Sequence, residues 1–190
     1  MRKSATLPIQ RGTSMIEVLV TIVILAFGLL GLVGLQTRLQ VSEMEAYQRT
    51  QALILLEDMA NRIASNRTAA ASYVTASPLG TGMACPATVA TTADRDLGEW
   101  CNGLQGAGET KTSAPTTRVG AFVGGRGCVQ SLGSGEYMVT VAWQGLTPMS
   151  APPASVSCGV NSYNGGTGSP CTGDLCRRVL TTVVRIATLT

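Results

Sequence analysis

The chain has 190 residues, a formal net charge of +3 and no histidine. Arg2, Lys3 and Arg11 account for the excess of positive charge, so the chain after residue 12 is near neutral and lacks the basic footprint of a nucleic-acid-binding protein. Without histidine, Ser-His-Asp and Cys-His catalysis are excluded, and the sequence contains no Gly-x-Ser-x-Gly, P-loop or dinucleotide-binding motif. The composition therefore predicts no enzymatic activity, no cofactor and no small-molecule substrate.

The first element is a short basic segment followed by a long apolar run. No charge occurs in the 18 residues from Val18 to Leu35, which is long enough to cross most of a bilayer as a helix. The basic residues mark the cytoplasmic side, so we expect the chain after Leu35 to face the opposite side. In a secretory signal peptide the apolar core precedes the cut, whereas here it follows the boundary at Arg11-Gly12.

Glu17 places a carboxylate at the start of this apolar run. A charge costs about 2.5–3.5 kcal/mol at the centre of a membrane helix and less near its ends. A cut after Gly12 would free an ammonium group on Thr13, four residues before Glu17. That amine, or the amine of a neighbouring subunit, could offset the cost. The alternative is a charge that reaches the membrane surface by extending its side chain.

Gly12, Thr13 and Glu17 resemble the class III signal of type IV prepilins, which has a short basic leader ending in glycine and a glutamate at the fifth mature position. The resemblance implies cleavage by a prepilin peptidase after Gly12 and N-methylation of Thr13, where major pilins usually have phenylalanine. The wider strings Met15–Val20 and Gly28–Gln36 are similar to the PilV minor pilins. The resemblance covers residues 11 to about 36.

The family implies a role in filament assembly. A protein of this kind is held in the inner membrane by one span, with its C-terminal domain in the periplasm, and later becomes extracellular in the type IV pilus. The expected partners are inner-membrane lipid, other minor pilins, the major pilin and a large tip adhesin. The protein is expected to help initiate the pilus within a tip or priming complex.

The predicted organisation is a cleaved leader (1–12), a transmembrane or filament-core half-helix (13–35), an amphipathic half-helix (36–67) and a globular head (68–190). No proline occurs between Pro8 and Pro78, so one helix of roughly 80 Å is expected, at 1.5 Å per residue. An apolar stripe in its second half is predicted to lie on a sheet. The stripe consists of Ala52, Leu56, Met59, Ala60 and Ile63.

Three glycines, Gly28, Gly31 and Gly34, interrupt the apolar half. Each lowers helix propensity by about 1 kcal/mol relative to alanine. We interpret them as sites of close helix packing, or as a stretch that can unwind during assembly. The alternative is that glycine is simply frequent in membrane helices.

All six cysteines follow the helix, which predicts disulfides in an exported domain. Six cysteines allow 15 complete pairings, among which a local Cys171–Cys176 loop is plausible. A thiolate metal site is the alternative, but the chain has neither histidine nor a Cys-x-x-Cys pair. The cysteines are Cys85, Cys101, Cys128, Cys158, Cys171 and Cys176.

The head is predicted to be rich in loops, with a small antiparallel sheet. Alternating residues predict strands over 137–144 and 179–189, with a third, short strand within 120–130 and a long loop over 155–174. A helix on such a sheet gives an α+β fold, and the family resemblance implies the same pilin-like layout with disulfide-bounded loops.

Two groups of charged residues in the head are given no catalytic role. Asp94, Asp96 and Glu99 form an acidic cluster that we expect on a solvated loop, with a cation site as the alternative. Arg177 and Arg178 are expected to form a charge pair at a strand edge.

Two other functions remain open from the sequence. A minor pseudopilin of a type II secretion system would share the same N-terminal features. A single-span periplasmic binding or enzymatic domain with an uncut leader would share the apolar helix but not the processing.

Overall fold

The computed structural model describes residues 14–108, 110–111, 114–118, 120 and 122–187. The predicted leader, together with Gly12 and Thr13, lies outside the described residues. The chain divides into two compact units, Met1–Glu43 and Met44–Thr190.

The dominant element is helix α1, Met15–Ser65. Its length agrees with the sequence, because no proline or turn signal interrupts the helical pattern. Within the second unit its buried side chains are Gln48, Ala52, Leu56, Met59 and Ile63. Four members of the predicted apolar stripe are therefore confirmed as buried, while Ala60 is half-buried.

A 3₁₀ helix, Arg67–Tyr73, follows α1, and the second unit also contains a four-stranded antiparallel sheet. In their order across the sheet, its strands are β1 (Leu79–Gly80), β4 (Arg126–Gly133), β5 (Glu136–Gln144) and β6 (Arg177–Arg185). A separate pair is formed by β2 (Thr110–Lys111) and β3 (Ala114–Arg118). The predicted α+β class, with a long N-terminal helix and a small antiparallel sheet, is confirmed.

The two long strands follow the predicted alternation. Tyr137, Val139, Val141 and Trp143 of β5 all belong to the main core or pack against it. The predicted third strand is longer than expected, because β4 begins after Gly124-Gly125 and continues to Gly133. β6 begins two residues before the predicted start and ends at Arg185, and the predicted strand end at residue 189 lies outside the described residues.

Helix α2, Thr92–Leu104, corrects the prediction that this stretch is loop. Thr91 caps it, since the Thr91 hydroxyl accepts from the Asp94 N–H and the Asp94 carboxylate accepts from the Thr91 N–H. Two features of the sequence indicate this helix: the capping-box residues and the helical spacing of Ala93, Trp100 and Leu104. Trp100, which is buried, donates from Nε1 to the Leu55 carbonyl at 2.8 Å and so joins α2 to α1.

Candidate functional site

The first turn of α1 holds Glu17 at the positive end of the helix. The Glu17 N–H donates to the Ser14 carbonyl at 2.9 Å and lies 3.4 Å from Ser14 Oγ. A carboxylate in this turn stabilises the helix by about 0.3–1 kcal/mol through its interaction with the helix dipole. Glu17 is exposed, so its carboxylate is open to a partner from outside the chain.

The helix surface around Glu17 is apolar on every side. Met15 is 90 % exposed, Phe27 72 % and Leu35 56 %, and the most apolar 18-residue window has a mean hydropathy of 2.8 with none of it buried. By length and composition this one helix can cross a membrane. Soluble monomers rarely expose apolar patches larger than a few hundred Å², so this surface requires lipid or protein to cover it.

The glycines of this helix meet no part of the described chain. A Cβ added at Gly28, Gly31 or Gly34 would have no neighbour within 4 Å. Nothing in the described residues therefore requires glycine at these positions, where alanine would favour the helix by about 1 kcal/mol. A requirement for close packing would have to come from outside the described residues, and the predicted packing role stays a prediction.

The six cysteines form three disulfides, Cys85–Cys101, Cys128–Cys158 and Cys171–Cys176. The expected disulfides are confirmed, including the local loop closed by the last pair. Cys85–Cys101 ties the loop after β1 to α2, and Cys128–Cys158 ties the long loop between β5 and β6 to β4. With every cysteine sulfur in a disulfide, no thiolate remains to bind a metal.

Two members of the acidic cluster, Asp96 and Glu99, lie on α2 and bind Arg62 of α1, while the third, Asp94, caps α2. Arg62 Nη1 is 2.9 Å from Asp96 and 2.7 Å from Glu99, and Arg62 Nε is 3.0 Å from Asp58. Asp96 is buried. The expectation of a loop is therefore wrong, although Glu99 is exposed. Asp96 and Glu99 bind a cation that the protein itself supplies. Arg62 and Asp96 are 34 residues apart, so no local sequence pattern predicts their contact.

Burial and hydrogen bonding act in opposite directions on Arg62. Burial lowers the pKa of its guanidinium, but hydrogen bonds to Glu99, Asp58 and Asp96 outweigh it and raise the pKa above its ordinary value. Tyr73 completes the cluster by donating to Asp96. Burial of the Tyr73 hydroxyl, and then this hydrogen bond, raise the pKa of Tyr73 above its usual 10.0.

The raised Tyr73 pKa predicts a stability loss at high pH. Because its folded pKa is above its unfolded value, Tyr73 contributes stability that is fully present below pH 10 and is lost as the pH rises through the folded pKa. Above pH 10 the unfolding free energy of the wild type should therefore fall more steeply with pH than that of Tyr73→Phe. The difference in slope should be up to about 1.4 kcal/mol per pH unit. Urea unfolding at pH 9 to 11.5 measures this slope. Tyr47→Phe, at a tyrosine that is 53 % exposed, is the control, and equal slopes for both variants would contradict the prediction.

Arg177 and Arg178 lie at the start of the edge strand β6, as expected, but they have different surroundings. Arg177 is buried, donates to the carbonyls of Val156 and Cys158, and places Nε 3.2 Å from Asp174. Arg178 donates to the Thr147 carbonyl at 2.7 Å. The two guanidinium groups do not act together, because each binds a different part of the loop between β5 and β6.

Glu45, which the sequence interpretation missed, binds the start of the second unit to the loop after β5 and to β6. One Glu45 oxygen accepts from the Leu146 N–H at 3.2 Å and from the Thr147 hydroxyl at 3.3 Å, and lies 3.3 Å from Arg178 Nη2. The sequence offered no local signal for these contacts, since Arg178 is 133 residues away.

Comparisons with protein-family models, with curated proteins and with solved structures find no match for this chain.

Proposed function

We propose that this chain is a minor pilin, which waits in the inner membrane and then enters a type IV pilus, where it helps to initiate assembly. The observation that carries the proposal is an exposed apolar helix in which Glu17 is the only charged residue from Ser14 to Thr37. A simple anchor needs only the apolar surface, and a carboxylate at its start adds no more than the helix-dipole contribution of about 0.3–1 kcal/mol.

Filament packing gives Glu17 a partner. In a bundle of such helices, an N-terminal ammonium of the same or a neighbouring subunit would lie beside the carboxylate. At 4 Å and an effective dielectric constant of 20, such a pair is worth about 4 kcal/mol. The ammonium exists on Thr13 only after the chain is cut behind Gly12, so assembly would depend on processing.

The second unit supports an exported location. Its three disulfides belong to an oxidising compartment such as the periplasm. A long N-terminal helix, a small antiparallel sheet and disulfide-bounded loops form the layout that the pilin resemblance implies. The proposed partners are prepilin peptidase, other minor pilins, the major pilin and a tip adhesin.

Leader processing is tested by mass. Intact-mass analysis of the membrane-bound protein should show a chain that begins at Thr13 and carries one added methyl group. A Gly12→Val variant, with a bulkier residue at the cut, should keep its leader and lack the methyl group. A native chain that begins at Met1 would instead favour an uncleaved single-span periplasmic domain.

The place of action separates the pilus from a secretion system. We expect the mature chain in pili sheared from cells, and fewer pili in a deletion strain. Normal piliation together with loss of protein secretion in that strain would favour a type II pseudopilin.

A further inference from the structure

Strand β6 lies at one edge of the four-stranded sheet. It pairs with β5 in a regular antiparallel register from Glu136 opposite Arg185 to Gln144 opposite Arg177, with no bulge. At nine residues it is longer than a typical strand. The other edge of the sheet is the two-residue strand β1, so β6 is the long edge of this sheet.

The direction of the β6 peptide groups follows from the ends of its ladder. The Ile186 N–H donates to the Gly135 carbonyl, and the Gly145 N–H donates to the Cys176 carbonyl. In an antiparallel pair, hydrogen-bonded residue pairs alternate with non-bonded ones, so the even-numbered residues of β6 bond to β5. The odd-numbered residues direct their N–H and C=O groups away from the sheet. The outward residues of the strand's middle and end are Val179, Thr181, Val183 and Arg185.

Within the part of the chain that the structure describes, no hydrogen bond reaches these outward backbone groups. Edge strands are usually protected by charge, proline, a bulge or short length. The middle of β6, from Val179 to Val184, has no charge and no proline and is mostly β-branched. Such an edge is suited to accept another strand.

A second copy of this strand does not complement the charge of the edge. β6 contains three arginines and no acidic residue, so a second β6 would bring no carboxylate to Arg185. The Arg185 side chain is 77 % exposed, and its described contact uses only Nε, which binds Glu136 at 2.7 Å. It can therefore bind a second carboxylate.

We propose that β6 is a docking edge that takes an extended segment of a different polypeptide as a fifth strand. The segment has uncharged β-branched residues in its middle and a carboxylate beside Arg185. Half of its side chains lie on the sheet face that carries Thr181 and Val183, both exposed. The inference rests on the sheet and does not require the chain to be a pilin.

Residue-resolved hydrogen exchange on the full chain in detergent tests this edge. The probe is an acetylated, amidated peptide of sequence EVTVTVE. With the peptide, exchange at Val179, Thr181 and Val183 should slow by about ten-fold or more, while Leu180 and Thr182 stay unchanged. The matched peptide KVTVTVK should protect the same amides more weakly, because its lysines face Arg185.

A proline variant identifies the edge as the binding element. Thr181→Pro removes one outward N–H without breaking the ladder to β5, a place where edge strands accept proline. It should abolish protection by the peptide, while Thr181→Val should retain it. Unchanged slow exchange at Leu180 and Val184 shows that both variants are folded.

Four results would overturn the proposal. Protection of the outward amides in the free chain at every protein concentration would mean that the chain covers its own edge. Protection that grows with protein concentration without peptide would identify a second copy as the occupant. Absence of protection at millimolar peptide, or protection that survives Thr181→Pro, would exclude strand addition at β6.

Discussion

Glu17→Gln is expected to enter sheared pili at least about ten-fold less than the wild type, although the peptidase cuts it normally. Glutamine has the same shape and keeps the helix, but it cannot pair with an ammonium. The lost interaction is on the order of 4 kcal/mol for a pair at 4 Å, and 1.4 kcal/mol already corresponds to a ten-fold change in an equilibrium. Quantitative immunoblotting of sheared pili against the membrane fraction measures the ratio.

The matched control for this substitution is Glu43→Gln. Glu43 is exposed on the same helix and the same unit, but it lies outside the apolar run. It should leave both processing and pilus entry unchanged. If Glu17→Gln enters pili as well as the control, the carboxylate has no role in assembly. If both Glu17→Gln and wild type are absent from pili, the proposed function itself fails.

Arg62→Met is expected to lower the unfolding free energy by roughly 2–4 kcal/mol, because removing one partner of a buried ion pair leaves the other charge uncompensated. Asp96, which is 8 % exposed, would keep only Tyr73 as a partner among its described side-chain contacts. The lower end of the range allows for the 25 % exposure of the Arg62 side chain. Thermal unfolding should shift down by roughly 5–12 °C.

Arg49→Met provides the comparison. Arg49 is exposed on the same helix, and no ion pair to it occurs among the described residues. Its replacement should change the unfolding free energy by less than about 0.5 kcal/mol. A further Asp96→Asn change in the Arg62→Met background should cost less than Asp96→Asn alone, since the two residues share one interaction. Equal effects of Arg62→Met and Arg49→Met would show that the cluster is not structural.

Local patterns predicted the elements that depend on local physics. The apolar run predicted a helix able to cross a membrane, and the period of two over 137–144 predicted the strand that the structure has as β5. The even number of cysteines predicted disulfides. The missed helix α2 was also locally encoded, because Thr91 and Asp94 form a capping box. The composition of its flanks, rich in alanine, threonine and glycine, masked that signal.

The contacts around Arg62 could not be read from the sequence. Three carboxylates in a short segment look solvated when their partner is unknown, and Arg62 lies 34 residues before Asp96. Arg177 and Arg178 look alike in sequence, yet one is buried among carbonyl groups and the other binds Glu45. Burial depends on which distant backbone segments meet, and periodicity carries no such information.

The sequence by itself determined an apolar N-terminal helix with one carboxylate, a cysteine-rich second unit and two alternating strands, because each depends on neighbouring residues. Only the tertiary structure decided which of the 15 possible cysteine pairings forms, that Arg62 joins α1 to α2, and that β6 occupies the long open edge. Those features depend on chain segments far apart in sequence that come together only when the sheet and the helices bury a common core.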